Sequence, residues 1–394
     1  MLTFRATLSF FTLLTLSILV ASSAPPAAAA SRSGLSLLDI LDGKLLSPQS
    51  SQRLAERLAS LTPHERERLR HESRRSQKEY LARQQTTPSR RHQNQDSVQD
   101  GPDFSGVPAF LKGFMQCRQI SGLGVAVVQG GKIVFSQGFG IQNAAGKPVD
   151  TDTIFGIGSC TKAFTSTLGA LMKQDGKFDF DALLTDYLPD LSFADPDMMK
   201  LLTPLDLFTH RTGLAKHDLA LFLDQKPTRR ERVYAIKYIE PSAPIRSRFL
   251  YNNWQILIAG YILGQIGSRD GTWETLIQDR IFYPLGMSRT FANFSLSVNQ
   301  PNRATPMTLT NGEWVDELYE WNEIIDQAAP AGAIASSVND MAQWALVHLG
   351  HAQDFLSNSS RQYLHAPKMT ISESASLPSW LAQFVDGSNY AVNW

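Results

Sequence analysis

Cysteine is scarce in this chain. Its 394 residues include two, Cys117 and Cys160, so a dense disulfide framework is excluded. The two thiols can form at most one bridge, and the sequence leaves open whether they meet.

Net charge is also absent, because 37 basic and 37 acidic side chains cancel. A chain without an excess of one sign has no averaged field that would attract an acidic polymer, so we expect no nucleic-acid partner. With 43% hydrophobic residues, the chain can bury one large core or two modest ones. The composition therefore favours a globular enzyme or binding module over a disordered protein.

Two hydrolase motifs are missing. No H-E-x-x-H segment occurs, and we interpret His348 and His351, near a predicted helix end, as a surface pair rather than zinc ligands. No G-x-S-x-G elbow occurs either, which argues against an alpha/beta-hydrolase. His210 and His217 flank a predicted turn, so a serine–histidine pair is an alternative to be weighed.

The N-terminal apolar run is too short for a comfortable membrane span of about 20 residues. It extends from Leu8 to Val20, after Arg5 and before a small-residue stretch that ends near Ala30. That order is typical of a secretory signal in residues 1–30, and we expect secretion and no stable membrane span. A mitochondrial presequence is the alternative, because Ser and Thr are frequent and the first acid is Asp39.

Residues 31–101 predict a helical, basic leader that ends in a linker. Thr62, Pro63 and Glu65 fit a capped helix start. The polar stretch from Gln84 to Gly101 has no periodicity and is typical of a linker. We therefore expect the main domain to occupy residues 102–394.

The pattern within that domain predicts strands first and helices afterwards. Two Val-rich runs, GLGVAVVQ and KIVFSQGFG, flank Gly130–Gly131 and predict a hairpin. This order predicts an α+β fold, in which an antiparallel sheet flanked by helices packs beside an all-α subdomain. The predicted helices are 108–118, the segment TKAFTSTLGALMKQ, 204–208, 230–238, 254–265, 273–281 and 337–349.

The strongest chemical signal is the segment around Ser159. Gly156 and Gly158 permit a tight turn, after which Ser159 lies at a predicted helix N-terminus, and Lys162 follows one helical turn later on the same face. A lysine whose burial leaves it neutral can take the proton of a serine hydroxyl. No other serine in the chain has a lysine at this offset. The plain alternative is a helix-capping serine with an exposed lysine.

A second signal is Tyr251 with Asn253. On a loop these two side chains can both point into a cleft, where a phenol relays a proton and an amide holds a substrate carbonyl. The alternative is a polar turn in which Asn253 caps the following helix. Cys160, next to Ser159, projects about 100° round the helix, so we interpret it as a buried thiol rather than a nucleophile.

Six segments together resemble the class C group of the serine beta-lactamase and penicillin-binding-protein superfamily. They are IFGIGSCTKAFTS, GKFDFDALLTDYLPDLSF, TPLDLFTHRTGL, RFLYNN, PLGMSRT and PAGAIASSVNDMAQW. The resemblance runs from about Phe104 to the end. It implies a beta-lactamase/transpeptidase-like fold with Ser159 as nucleophile, Lys162 and Tyr251 sharing the acid and base work, Asn253 orienting the substrate, and His210 in a structural role.

One expected motif is not found. The family carries K-T-G or H-x-G on a late strand that also supplies an oxyanion-hole N–H. Arg211-Thr212-Gly213 precedes Tyr251, and His348-Leu349-Gly350 ends a predicted helix, so neither fits. The final segment, Asn389 to Trp394, resembles the strand that normally precedes this motif. We therefore expect the chain to be truncated at its C-terminus.

The sequence thus predicts a secreted serine hydrolase that forms an acyl-enzyme on an ester, amide or peptide bond of a small-molecule or peptide substrate. No metal or organic cofactor is expected, because acyl transfer by a serine needs neither. The alternative is a catalytically inactive scaffold or binding protein with the same fold. The substrate and the oligomeric state are left open.

Overall fold

The computed structural model describes residues 103–221, 228–317, 322–371 and 389–394. The predicted signal (1–30) and the predicted leader and linker (31–101) lie outside the described residues. The domain boundary near Pro102 therefore stays a prediction.

Helices predominate, and the strands are short. In chain order the elements are α1 (Val107–Arg118), β1 (Gly122–Gln129), β2 (Lys132–Gly140), β3 (Phe155–Gly156), α2 (Thr161–Gln174), α3 (Leu184–Tyr187), α4 (Pro204–Phe208), α5 (Asp218–Leu221), α6 (Arg229–Tyr234), α7 (Asn253–Gly267), α8 (Trp273–Ile277), α9 (Phe294–Ser297), β4 (Met307–Thr310), β5 (Glu313–Asp316), α10 (Asn322–Gln327), α11 (Ala329–Gly332), β6 (Ala335–Ser336), α12 (Val338–His348), α13 (Asn358–His365), β7 (Met369–Thr370) and β8 (Asn389–Tyr390).

The predicted hairpin is confirmed. Strands β1 and β2 pair antiparallel from Gly122 opposite Gly140, with an irregularity between Val127 and Val128. Both turn glycines have a positive φ, 58° at Gly130 and 78° at Gly131, which explains why glycine occupies these positions. Helix α1 covers one end of the hairpin through a small core of Leu111, Met115 and Phe139.

The other strands of the described residues also pair antiparallel, β3 with β6, β4 with β5 and β7 with β8. Helical residues supply most of the larger core. The mixed α+β architecture expected from the sequence is confirmed.

Helix α7 is the apolar centre of the helical region. Its residues from Trp254 to Gly264 are all buried. Two glycines permit close neighbours: a Cβ at Gly260 would lie 2.3 Å from Pro330 Cβ, and one at Gly264 would lie 2.7 Å from the backbone of Trp273. Helices α11 and α8 can therefore pack directly against the α7 backbone.

Helix α2 lies beside α7 and carries the site residues. It is buried from Thr161 to Met172, and Phe164 stacks on Trp344 of α12 with ring centroids 3.8 Å apart. Most predicted helices appear within a few residues of their expected ends. In the predicted helix 273–281, however, α8 ends at Ile277 and continues as a single π-helical turn, Gln278–Phe282.

Across the described ranges, each helix is too short or too polar to cross a bilayer. Both cysteines are free thiols, and Cys117 is exposed on α1.

Candidate active site

A tight turn places Ser159 ahead of α2. After β3 the chain forms a single 3-10 turn, Gly158–Cys160, which begins at a positive φ of 50° at Gly158. Gly156 is equally constrained, because a Cβ there would lie 2.6 Å from the ring of Phe294. The Ile157 N–H donates to the Ile334 carbonyl at 2.9 Å, which ties this turn to the segment before β6. Both glycines that the sequence marked are therefore required by the geometry.

Lys162 meets Ser159 one turn later. The Lys162 Nζ lies 3.0 Å from Ser159 Oγ and donates to the Ala331 carbonyl at 2.6 Å. Its side chain is 1% exposed. The alternative of an exposed lysine beside a capping serine is therefore wrong.

Burial lowers the pKa of Lys162 to about 7. Asp218 and Cys160 oppose this shift, and Lys216 adds to it. Among the described residues, no carboxylate forms an ion pair with this amine. A hydroxyl and a carbonyl replace only part of the solvation that an ammonium group loses on burial, so the neutral form of Lys162 is favoured. A substantial fraction of Lys162 can therefore act as a base near pH 7.

Tyr251 approaches Ser159 from the other side. Its hydroxyl donates to Ser159 Oγ at 2.8 Å, and the Lys162 Nζ lies 4.9 Å from the centre of its ring. Burial raises the pKa of Tyr251 to about 12, although the hydrogen bond with Ser159 opposes this. The phenol therefore keeps its proton at neutral pH and can serve as an acid or a hydrogen-bond donor.

The two asparagines after Tyr251 have different roles. Asn252 is the N-cap of α7, since its Oδ1 accepts from the Trp254 N–H at 2.7 Å and its Nδ2 donates to the Ala215 carbonyl at 2.7 Å. The alternative in which Asn253 is the cap is therefore wrong. Asn253 begins α7, and its Nδ2 donates to Asp218 Oδ1 at 2.9 Å.

His210 lies under this loop. It is fully buried, its Nδ1 accepts from the Asn252 N–H at 3.3 Å, and its ring centre is 4.6 Å from that of Tyr251. Burial, with a smaller effect of Lys162, holds the pKa of His210 well below its usual value. His210 thus supports the loop as a neutral ring, and its described hydrogen bond does not lead to Ser159.

Three further groups complete the surroundings of Lys162 and were not singled out from the sequence. They are the carbonyl of Ala331, the Asn393 side chain, whose Nδ2 donates to the Lys162 carbonyl at 3.1 Å, and Asp218. A backbone carbonyl carries no residue-type signal, and Asn393 is 231 positions from Lys162. Only Asp218 had a recognisable sequence signal, because it is an acidic residue shortly after the FTHRTGL segment.

The interpretation of His348 and His351 as a surface pair is wrong. His348 is buried, and its Nδ1 lies 3.1 Å from Nε2 of His365 on α13, while His351 is exposed. Sequence reasoning did not find this contact, because it depends on how two separate helices pack. Within the residues that the structure describes, no group of three or more potential metal ligands is present. Cys160 is partly rather than fully buried, and burial raises the pKa of its thiol.

Comparison with known proteins gives the family of this site. A sequence model of the family described as Beta-lactamase matches residues 107–379. The chain belongs to the beta-lactamase family. The resemblance read from the six sequence segments is thereby confirmed.

Named relatives support the same assignment. The chain is 27% identical to the unguisins hydrolase ungD' of Aspergillus campestris over 74% of its own length and 54% of that protein. It is 25% identical to a beta-lactamase of Psychrobacter immobilis over 71% of its length and 68% of that protein. It spans about half the length of the unguisins hydrolases that it matches, 54% of one and 41% of another from Aspergillus violaceofuscus.

The fold is shared with a solved structure, the octameric penicillin-binding protein homologue from Pyrococcus abyssi. The TM-score is 0.62 at 20% identity, over 74% of this chain and 64% of the other. At this identity the likeness supports the fold alone, and it confirms the beta-lactamase/transpeptidase-like architecture.

Proposed function

We propose that this protein is a serine hydrolase in which Ser159 attacks an ester, amide or peptide carbonyl and forms an acyl-enzyme. The observation that carries the proposal is the double contact of Ser159 Oγ, with Lys162 Nζ at 3.0 Å and Tyr251 OH at 2.8 Å. A hydroxyl held between a buried amine and a half-buried phenol has both a proton acceptor and a proton donor within reach.

During acylation, Lys162 accepts a proton and Tyr251 donates one. In its neutral form Lys162 has one lone pair; an N–H can still donate to the Ala331 carbonyl, and the lone pair can then accept from the Ser159 hydroxyl 3.0 Å away. The Ser159 proton passes to Lys162 as Oγ bonds to the substrate carbonyl carbon, giving a tetrahedral oxyanion. The leaving group receives a proton from Tyr251 as its bond to carbon breaks, and Lys162 then reprotonates the phenolate.

Deacylation reverses these steps with water as the nucleophile. Lys162 takes a proton from the water as the water oxygen attacks the acyl carbonyl, Ser159 leaves with a proton donated by Tyr251, and Lys162 then returns its proton to the phenolate. Because the pKa of Tyr251 is raised to about 12 and that of Lys162 lowered to about 7, Lys162 is the better resting base.

The substrate class follows from acyl chemistry and from the relatives. Proteins named unguisins hydrolase, beta-lactamase and penicillin-binding protein share similarity with this chain. We propose a small-molecule or peptide substrate with an ester or amide carbonyl. We also propose that residues 1–30 direct secretion, which N-terminal sequencing of the protein recovered from the culture medium of a secreting host tests.

The experiment that tests the proposal is covalent labelling with a fluorophosphonate followed by intact mass spectrometry and peptide mapping. One adduct per chain is expected on the peptide that contains Ser159, and none in Ser159→Ala. The matched controls are Cys160→Ala, which removes the neighbouring thiol, and Ser359→Ala, which removes an exposed serine of α13. Both should label fully. A folded wild type that takes up no label would favour the inactive scaffold instead.

A further inference from the structure

Asp218 contacts both Asn253 of the Ser159 site and the exposed Lys216. It is the first residue of α5, and its Oδ1 accepts from Asn253 Nδ2 at 2.9 Å. Its Oδ2 lies 3.3 Å from the Nζ of Lys216, and the Asp218 side chain is 16% exposed while that of Lys216 is 54% exposed. One carboxylate therefore holds the site asparagine on one side and an exposed lysine on the other.

A carboxylate constrains the amide that it contacts. Because an ionised carboxylate only accepts hydrogen bonds, the NH₂ end of Asn253 must face Asp218. The amide carries a second N–H, and we assign this donor to a substrate carbonyl. A neutral partner such as an amide would accept either end of Asn253 and would leave its orientation unspecified.

Asp218 and Lys216 also differ from the other titratable groups around Lys162. Those groups are Cys160, Tyr251 and His210. The pKa values of Cys160 and Tyr251 are raised by burial, and that of His210 is held well below its usual range, so all three are neutral at pH 7. Of the groups that act on Lys162, Asp218 and Lys216 therefore carry the charge at neutral pH.

We propose that Asp218 is a positioning residue of the Ser159 site: its carboxylate fixes the orientation of the Asn253 amide, and its ion pair with Lys216 places two opposite charges at the edge of the site, where they adjust the basicity of Lys162. This inference rests on the proposed function. The charges of Asp218 and Lys216 would then tune the basicity of Lys162 from the edge of the site.

The charge effect predicts shifts of opposite sign. The rate constant for fluorophosphonate labelling of Ser159 should rise with pH as Lys162 loses its proton. Asp218→Asn removes a negative charge, so the apparent pKa of this rise should fall. Lys216→Met removes a positive charge, so the apparent pKa should rise. We expect about 0.5 pH unit in each direction at low salt and less at about 1 M salt, because screening weakens interactions with exposed charges.

A matched pair of variants separates this effect from a general change of charge. Asp197 and Lys200 form a fully exposed ion pair at 2.7 Å, and neither is among the charges that act on Lys162. Asp197→Asn and Lys200→Met make the same charge changes and should leave the pH profile unchanged. The double variant Asp218→Asn/Lys216→Met should return the profile close to that of the wild type.

The orientation effect is tested by a double-mutant cycle on kcat/KM for an amide substrate. If Asp218 acts through the Asn253 amide, Asp218→Asn should cost about tenfold in the wild type and almost nothing beyond the pH shift when Asn253 is already alanine. Thermal unfolding of each variant checks the fold, and Lys216→Met keeps the charge test informative should Asp218→Asn fold poorly.

Two outcomes would overturn the inference. Equal or same-sign shifts for Asp218→Asn and Lys216→Met would show that the ion pair does not act on Lys162 through its charges. Additive losses in the cycle would show that Asp218 does not act through Asn253. A wild type without any labelling at Ser159 would instead refute the proposed function, so the two failures are distinguishable.

Discussion

Arg229, whose side chain is 16% exposed, and the buried Lys162 show opposite shifts of pKa. Arg229 of α6 donates to both carboxylate oxygens of Glu274 on α8, at 2.7 and 2.5 Å, and to the carbonyls of Asp326 and Gln327. Burial lowers the pKa of Arg229, but Glu274 outweighs this effect and the net shift is upward. Lys162 has a hydroxyl and a carbonyl as partners, and its pKa falls to about 7.

The difference teaches how a buried charge becomes structural or reactive. A guanidinium keeps its proton, and the bidentate carboxylate of Glu274 compensates the charge of Arg229 and joins three segments of the helical region. The amine of Lys162 lacks such a partner among the described residues, so it gains by losing its proton. Burial thus opposes the charged form of both side chains: Glu274 offsets this effect at Arg229, and in the proposed mechanism the same effect makes Lys162 available as a base.

The largest expected effect follows from removing the nucleophile. Ser159→Ala should lower the hydrolysis rate by at least about 10⁴-fold, because no group remains to form the acyl-enzyme. Steady-state kinetics on an ester substrate measure this loss, with Ser359→Ala as the control. Residual activity above one tenth of the wild type would contradict the role of Ser159.

The next effect tests the base. Lys162→Met should lower the rate of Ser159 labelling about 10³-fold, and Lys162→Arg should lower it as much because a guanidinium does not give up its proton. Stopped labelling reactions resolved by mass spectrometry give the rates. If the arginine variant kept most of the rate, the positive charge rather than the neutral amine would be responsible.

On the structural side, Arg229→Met should lower the free energy of unfolding by about 3 kcal/mol, because Glu274 is left in a largely buried position without its partner. Labelling of Ser159 per folded molecule should be unchanged. Denaturant unfolding measures the loss, and Glu274→Gln should give a loss of the same sign. A variant that kept its stability but lost its labelling would reverse the contrast between the two cations.

The smallest effect concerns Asp326, which lies beside Arg229. Its carboxylate accepts from the N–H groups of Phe294 and Ser295 at 2.8 and 3.1 Å, yet burial outweighs these bonds and raises its pKa to about 7. A folded pKa above the unfolded value of about 3.9 means that the folded state binds the proton more tightly. This contribution to stability is therefore present below about pH 4 and is lost as the pH rises to about 7.

Asp326→Asn should remove that dependence, because an amide does not ionise, although its single oxygen can keep only one of the two backbone hydrogen bonds. Relative to the wild type, the variant should gain free energy of unfolding as the pH rises from 4 to 8, because only the wild type loses the contribution of a protonated Asp326. Unfolding curves at several pH values give the difference. A constant difference across this range would show that Asp326 is not protonated in the folded protein.

Much of the reactive region could be predicted from the sequence, because its key contacts are local. Ser159 and Lys162 are one helical turn apart, and the glycines before them carry a recognisable signal. The hairpin was equally predictable, since its two strands are adjacent in the chain. Tyr251 was found by its pattern, although its contact with Ser159 spans 92 positions.

The parts that sequence reasoning missed depend on distant packing. The Arg229–Glu274 pair spans 45 positions, and the contact between His348 and His365 joins two helices. The Ala331 carbonyl contributes through its backbone, which any residue type supplies. Charge partners and carbonyls of this kind become visible only when the helices are placed side by side.

The most direct test of the central claim is the pH dependence of Ser159 phosphonylation in the wild-type protein, followed by peptide mass spectrometry. Ser159 activation by a neutral Lys162 predicts a single adduct at Ser159 whose rate constant rises with an apparent pKa of about 7. A rate that is independent of pH between 5 and 9, or an adduct on another residue such as Cys160, would contradict it.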